Sequence, residues 1–310
     1  MISNKMDYVV VTGGSGFIGS HLVEYLLSQG KTVVNIDKRD PSVKNEALFM
    51  KIDLSEPNWD FLGNPPSVLY HLAGEPWSMV KGQSWFEGSK YAFDNNTVGT
   101  YNTIRKIKPK TIVFSSTANV YGEGVGKKED DPIHITSQYG YSKWIAEEII
   151  RKCGTPYMIY RFGTVVGARG RTFPNRLVWS AVKGEKPELF NNGQSKRDII
   201  DVRDIVRTLV EQSYHPISDT LNLASGNEIS NYSMALITQR IAGQHGIDFK
   251  FELTDFAAPG YVKESTLYIK KVRDIYSWRP QYNHIQTFES LFDYYLHDPN
   301  PIEPPDWKSL

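Results

Sequence analysis

The sequence contains a single cysteine, Cys153, among 310 residues. One thiol cannot form an internal disulfide, and no His and Cys residues recur at metal-ligand spacing, so a disulfide scaffold and a structural zinc module are excluded and no metal is expected. Net charge is also missing: 35 Lys and Arg balance 35 Asp and Glu. Without a global field, neither nucleic acid nor an anionic membrane is an expected partner, and any anionic ligand must be gripped locally. No apolar run approaches the ~20 residues of a spanning helix. The opening MISNKMDYVVVTGG runs into a strand pattern with no signal-peptide cleavage site. A reducing cytoplasm is the expected compartment. Internal repeats are absent.

What is present is 40% apolar residues, enough to bury a large core in one large or two ordinary domains. Short runs rich in Val and Ile alternate with helical patterns. They predict strands over 7–12, 31–37, 47–53, 67–73, 110–116 and 156–162. Near-continuous apolarity in such short runs suits strands buried on both faces. The expected class is α/β, a doubly wound parallel sheet of Rossmann type. After about residue 165 the alternation loosens. GARGRTFPNR and KGEKPELFNNGQSKRD read as loops, DVRDIVRTLVEQS as a helix, TLNLAS as a returning strand, and DPNPIEPPDWKSL as a proline-rich tail that does not fold alone. The expected division is a dinucleotide-binding domain over 1–168 with a returning segment at about 199–228. A smaller interleaved α+β C-terminal lobe, 169–198 and 229–310, would take the substrate.

VVVTGGSGFIGSHLVEYLL reads as strand, glycine turn and amphipathic helix. Gly13 permits the tight turn, Gly16 lets the backbone approach a pyrophosphate, and Gly19 allows close helix-to-strand packing, with Phe17 and Ile18 opening the helix. The next predicted strand ends in Asp37, whose carboxylate can accept from the hydroxyls of an adenosine ribose. That carboxylate would repel a 2'-phosphate and so favours NAD over NADP, although Lys38 and Arg39 follow directly and partly offset it. Farther along, TSQYGYSKWIAEE has the pattern of an amphipathic helix. Tyr139 and Lys143, four residues apart, share a face there, while Tyr141 points elsewhere. A phenol with an ordinary pKa near ~10 is a poor base at neutral pH. An ammonium beside it, with the positive nicotinamide of NAD, favours the phenolate. TIVFSSTANVYG places its hydroxyls at the carboxyl end of a strand, where open α/β sheets bind ligands. Capping of the turn there suits Ser115 and Ser116.

TGGSGFIGS, Asp53 with Leu54, HLAG at 71–74, NTVGTYN at 96–102, SSTANVYG at 115–122, YGYSK at 139–143 and RDIIDVRDI at 197–205 occur in one order. In that order the chain resembles the extended short-chain dehydrogenases/reductases, and within them the nucleotide-sugar epimerases and dehydratases, over nearly its full length. The resemblance implies that Asp53, with Leu54, reads the adenine, and that Leu72, Ala73 and Gly74 line the cofactor. Asn96 would support the lysine, although a helix N-cap accounts for it equally well. It further implies that Thr117 bonds the reacting oxygen, Tyr139 moves the proton, and Lys143 holds the nicotinamide ribose. On the substrate side, Arg197 would grip a nucleotide diphosphate, and Thr164, Asn175 and Arg176 would contact the nucleotide sugar. His71 reads as a packed strand-end histidine. Trp77, Trp85 and Phe86 either line the pocket or cover it.

Some positions depart from the family pattern. Thr164 replaces a common Asn, LYIKKVRDIYSWRP lacks the usual Asp, and near 262–264 Lys263 is the only cation. Ala118 and Asn119 replace the acid pair that 4,6-dehydratases of the family place after the threonine, unless Glu75 or Glu123 substitutes. These features imply an NAD-dependent epimerase at C4 of a nucleoside-diphosphate hexose. It would work as a homodimer through a four-helix bundle built from about 90–107 and 138–152. A C4 dehydrogenase or 4-keto reductase of the same fold is the alternative, and a non-catalytic NAD-sensing protein is a third reading.

Overall fold

The four apolar-rich residues Val9–Thr12 form β1, and the glycine turn hands the chain to α1 (Phe17–Ser28), which packs back on the sheet. The structure is a computed structural model that describes residues 7–61, 63–76, 84–256 and 262–305. In chain order there follow β2 (Val33–Asp37), β3 (Leu48–Lys51), β4 (Val68–His71), α2 (Trp85–Phe93), a π-helical turn (Asp94–Val98) and α3 (Gly99–Ile107). Then come β5 (Ile112–Thr117), a 3-10 turn (Ala118–Val120), β6 (Gly124–Lys127), α4 (Gln138–Lys152), β7 (Tyr157–Phe162), β8 (Thr164–Val166) and α5 (Phe173–Lys183). The chain continues through β9 (Glu188–Leu189), β10 (Lys196–Asp201), α6 (Val202–Ser213), β11 (Asp219–Leu223), β12 (Glu228–Ser230) and α7 (Asn231–Gln244). It ends in β13 (Glu252–Leu253), β14 (Glu264–Leu267), α8 (Lys270–Tyr276) and α9 (His284–His297).

The chain divides into two compact units. The first, Met1–Gly122 with Pro132–Arg161 and Val206–Leu221, carries the seven-stranded sheet, in the order β3-β2-β1-β4-β5-β7-β11. Val10 lies beside Val34 on one side and Leu69 on the other, in parallel register. Every residue of β1, β2 and β4 is buried. The strand order runs outward in opposite directions from β1 and β4, which opens a crevice at their carboxyl ends, the usual ligand position in such sheets. One strand departs from the expected double-sided burial: β3 is the sheet edge and Leu48 is 52% exposed.

The second unit is Glu123–Asp131, Phe162–Ile205 and Asn222–Leu310. Its mixed sheet runs β12-β10-β14-β6, with β8 also on β10, and β9 pairs β13. Helices α5, α7 and α9 pack around Leu177, Trp179, Met234, Ile241, Phe288 and Phe292. Two segments expected as loops are partly regular. GARGRTFPNR already contains the first turn of α5, because Pro174 sits where a missing N–H removes no helical bond. KGEKPELFNNGQSKRD contains β9 and the start of β10. No helix among the described residues is long and apolar enough to cross a membrane.

Candidate active site

Gly13 takes a left-handed backbone (φ +73°), and a Cβ there would lie 2.6 Å from the Ala73 nitrogen, so this turn and the one after β4 touch. A Cβ on Gly19 would stand 2.0 Å from the Gly13 carbonyl oxygen, which is how closely α1 sits on the turn. Gly16 differs, since an added Cβ would meet only the Gly13 oxygen, at 3.2 Å. A side chain there would be tight rather than excluded, so packing demands this glycine less than Gly13 or Gly19. Gly16 is also the N-cap of α1, with no side chain capping it and no acid in the first turn. The helix therefore presents uncapped N–H groups, with Phe17 and Ile18 as its first residues, a cradle that fits a pyrophosphate.

At the end of β2, buried Asp37 accepts from the Ser15 nitrogen at 3.0 Å and the Arg39 nitrogen at 2.9 Å, which fixes its carboxylate beside the glycine turn. Lys38, expected to offset that charge, donates to Asn95 Oδ1 at 2.7 Å and to the Tyr91 hydroxyl at 3.4 Å. Asp53 Oδ1 accepts from both the nitrogen and hydroxyl of Ser55, a turn-forming bond. Leu54 is part of the core below, with Val10, Ile36 and Leu69. After β4, the Leu72 and Ala73 nitrogens donate to the oxygen and hydroxyl of Thr12. A Cβ on Gly74 would lie 3.3 Å from Asn96 Oδ1 and 3.5 Å from Lys143 Nζ. The turn after β4 thus meets Asn96 and the Lys143 side chain at Gly74.

Tyr139 and Lys143 lie on α4, which starts with the Ser137 hydroxyl accepting from the Gly140 nitrogen at 3.0 Å. Tyr141 is 47% exposed and faces away. The Thr117 hydroxyl acts on the Tyr139 phenol and lowers its pKa. It also accepts from the Asn119 nitrogen at 3.2 Å, so the turn-capping expected of Ser115 and Ser116 falls to Thr117. Ser115 instead donates to the His71 carbonyl, and Ser116 to Glu147. Asn96 is buried in the π-helical turn rather than at a helix N-cap. It accepts from the Glu75 nitrogen and donates to the Glu75 carbonyl and to Ser142 Oγ, the neighbour of Lys143. A π-helical turn re-aims a side chain that regular α geometry would place elsewhere.

Burial dominates the charge states here. It pushes Lys143 down to about 7, against the opposing pull of the Glu147 carboxylate. The ammonium lies 4.0 Å from the Phe114 ring centroid. Burial likewise pushes Tyr139 up to about 12; the Thr117 hydroxyl lowers it and the nearby Glu75 charge raises it. Among the protein groups alone desolvation wins, so the phenolate expected from the ammonium together with the nicotinamide charge needs more than the protein supplies. His71, held between the Thr12 and Thr100 hydroxyls at 2.6 and 2.8 Å, is pushed down to about 3 by burial and the Lys143 charge, so it is neutral packing.

The other expected substrate residues belong to the second unit. Arg197 on β10 donates to the carbonyls of Lys196 and Val262 at 2.8 and 3.0 Å. Arg176 is paired with Glu185 at 2.7 Å, a partner it would have to leave to bind phosphate. Asn175 is wholly buried between the Gly167 carbonyl and the Tyr295 hydroxyl. Thr164 opens β8 beside Ile199. Trp85 and Phe86 on α2 are 69% and 75% exposed, and Trp77 lies outside the described residues.

A protein-family model, the NAD dependent epimerase/dehydratase family, matches residues 9–224. The chain belongs to that family. Its cofactor is NAD, and the uncapped, glycine-cleared start of α1 fits the pyrophosphate of such a group. Over 316 residues the chain is 27% identical to the UDP-glucose 4-epimerase of Halalkalibacterium halodurans, covering 90% of this chain and 92% of the relative. It is 26% identical to the dTDP-glucose 4,6-dehydratase of Haemophilus influenzae, over 94% and 97% of the two chains. The structure of the Thermus thermophilus UDP-glucose 4-epimerase in complex with NAD shares the fold, at TM-score 0.80 and 22% identity, over 94% of this chain and 99% of that one.

Two side chains around the site, Glu147 and Arg161, escaped the sequence reading, and a third was read only in part. Glu75 was weighed only as a substitute acid, yet its main chain is clamped by Asn96 and its carboxylate accepts from the Tyr91 hydroxyl at 3.2 Å. Glu147 and Arg161 form a buried pair beneath the site. A signal existed for Glu147: it continues the four-residue spacing of Tyr139 and Lys143 along one helix face.

Proposed function

We propose that this family member is a nucleotide-sugar epimerase that inverts C4 of the hexose through a transient 4-keto sugar. The reading is carried by one observation: the Thr117 hydroxyl acts on the Tyr139 phenol, Lys143 follows one helical turn on, and positions 118 and 119 hold Ala and Asn. Inversion at C4 needs one oxygen deprotonated and reprotonated, a task for one phenol and one orienting hydroxyl. Elimination of water across C5 and C6 needs in addition a base and an acid, and neither Ala118 nor Asn119 supplies one.

Thr117 orients the C4 oxygen, and Tyr139 removes its proton and later returns it. Gly13, Gly16 and the start of α1 would hold the pyrophosphate, Asp37 the adenosine ribose, Asp53 the adenine, and Lys143 the second ribose. Bound NAD supplies a reversible hydride acceptor and a positive ring charge. Tyr139 is otherwise a protonated phenol at neutral pH, so its work as a base depends on a positive charge beyond those of the protein. Arg197 is the diphosphate-binding candidate, because a guanidinium can hold two phosphate oxygens at once. The names of relatives such as the UDP-glucose 4-epimerase of H. halodurans support UDP-hexoses as the first substrates to offer. The same reading includes a homodimer and, from the lone Cys153, a cytoplasmic setting.

Purified protein given UDP-glucose should yield a product of unchanged mass, inverted at C4, with the C4 hydrogen retained rather than exchanged with solvent. Tyr139→Phe should lower that turnover by roughly 10²- to 10⁴-fold. A product lighter by one water would show that the missing acids are supplied elsewhere, Glu75 or Glu123 being the candidates, and would make the protein a dehydratase. Accumulation of NADH with a keto product would make it a net oxidoreductase.

A further inference from the structure

We propose that Glu147, together with Arg161, positions the catalytic threonine: one buried carboxylate on α4 clasps both ends of the turn that presents Thr117. Tyr139, Lys143 and Glu147 stand at successive four-residue steps of the helix and share a face. The Glu147 side chain has no exposed surface, and that of Arg161 is 3% exposed. The Ser116 hydroxyl, immediately before Thr117, donates directly to Glu147 Oε1. Arg161 donates to Glu147 through Nε at 3.0 Å and Nη2 at 2.7 Å, and through Nη1 to the Tyr121 hydroxyl at 2.8 Å. Tyr121 closes the same turn, its nitrogen donating to the Ala118 carbonyl, and its ring lies 4.8 Å from the Arg161 guanidinium. The entry to the turn is thus tied to Glu147 directly, and its exit through Arg161.

This geometry has a chemical consequence, which rests on the reading of Thr117 and Tyr139 as the proton-handling pair. Thr117 ends β5 and Tyr139 stands on α4, so the alignment of the two hydroxyls depends on how the helix sits on the strand, and a hydrogen bond to a shared oxygen weakens steeply when distance or angle drifts. A buried ion pair is a poor source of net stability, since desolvation offsets its Coulombic attraction, and apolar side chains of equal volume would hold the helix on the sheet as well. Apolar contact would not determine how far α4 slides along β5; the bonds that Ser116 and the Arg161 fork donate from the strands to the Glu147 carboxylate do. Burial alone would raise the Glu147 carboxyl, but the Arg161 and Ser116 bonds and the Arg151 charge outweigh it and hold it below its ordinary value. The anchor is therefore ionised throughout the neutral range. Arg151, at 2.6 Å, is the second cation on it and is partly exposed.

Ser116→Ala and Tyr121→Phe each cut one link and leave the ion pair intact, so they test the clasp without removing a buried charge. In NAD-loaded protein, the double variant should keep a cooperative thermal melt. Turnover of a sugar nucleotide should fall by about 10- to 100-fold, the effect of sub-ångström to ångström misplacement, with KM changed less than about twofold. The signal of Tyr139 in protein labelled at tyrosine Cζ, assigned with Tyr139→Phe, should move to the position it takes in Thr117→Ala. In a Thr117→Ala background the two link substitutions should cost nothing further, because the group they position is gone. A folded double variant with an unmoved Tyr139 signal would overturn the proposal, as would a turnover loss that persists undiminished without Thr117. If the unmodified protein turns over no sugar nucleotide, the epimerase reading falls, while the Tyr139 signal still decides the clasp.

Discussion

At the scale of single residues, the site combines groups that would each be unwelcome in a core. Lys143 is 2% exposed, and burial brings it down to about 7. In the unfolded chain its pKa is the ordinary ~10.4, so between about 7 and 10.4 the unfolded state binds more protons and stability rises with pH. Below about 7 both states are protonated, and the full cost of burying the charge remains. Attraction to the Phe114 ring returns about 0.5–2 kcal/mol, less than the desolvation it opposes. Lys143→Met should therefore abolish turnover yet stabilise the fold at pH 7 by on the order of a few kcal/mol, a gain that shrinks as pH approaches 10. Denaturant unfolding at pH 7 and pH 9.5 measures this; a gain that grows with pH would contradict the assignment. Tyr139, Lys143 and Asp37 were readable because spacing and position after a strand announce them. Arg161 was not, since its partner on α4 is fourteen residues away in sequence with a loop between.

Among the elements, those built from local pattern were legible, and those that depend on distant pairing or irregular backbone were not. β1, α1 and β2 follow from a valine run, a glycine turn and an amphipathic stretch, all within reach of one another. The π-helical turn that aims Asn96 has no comparable signature, because its extra residue is paid for by contacts with Glu75 and Ser142. The same substitution at two glycines should separate element packing from helix propensity. Gly19→Ala forces a Cβ to 2.0 Å from the Gly13 oxygen, so α1 must retreat from the turn. We expect a loss of about 1–3 kcal/mol and at least tenfold weaker NAD binding. Gly243 in α7 meets nothing within 4 Å, and Gly243→Ala should stabilise by roughly 0.5–1 kcal/mol with NAD binding unchanged. Denaturation midpoints and NAD titration read both, and equal effects at the two sites would refute the packing argument.

At the scale of the whole molecule, the second unit was the least legible because its two sheets are assembled from distant pieces: β6 pairs with β14 in one, and β9 with β13 in the other. The first unit, in contrast, leaves a surface that one copy does not cover. Between α3 and α4 runs a groove of about 470 Å³ lined by Tyr101, Ile104, Ile145 and Ile149. Ile104 also packs on the buried cluster of Ile112 and Ile150, whereas Tyr101 is 48% exposed. An apolar face on two neighbouring helices suits the same two helices of a second copy, because a two-fold axis sets each groove against its equivalent. The rim supports that occupant. Arg105, Lys152 and Glu148 edge the groove, and antiparallel apposition can bring the cations of one copy to the acid of the other. We therefore expect a dimer at micromolar concentration by sedimentation, built as a four-helix bundle. Ile145→Glu with Ile149→Glu should place two carboxylates in the apolar centre of the interface and give a monomer that still binds NAD. A monomeric mass for the unmodified protein, or a dimer unaffected by both substitutions, would remove this face as the interface.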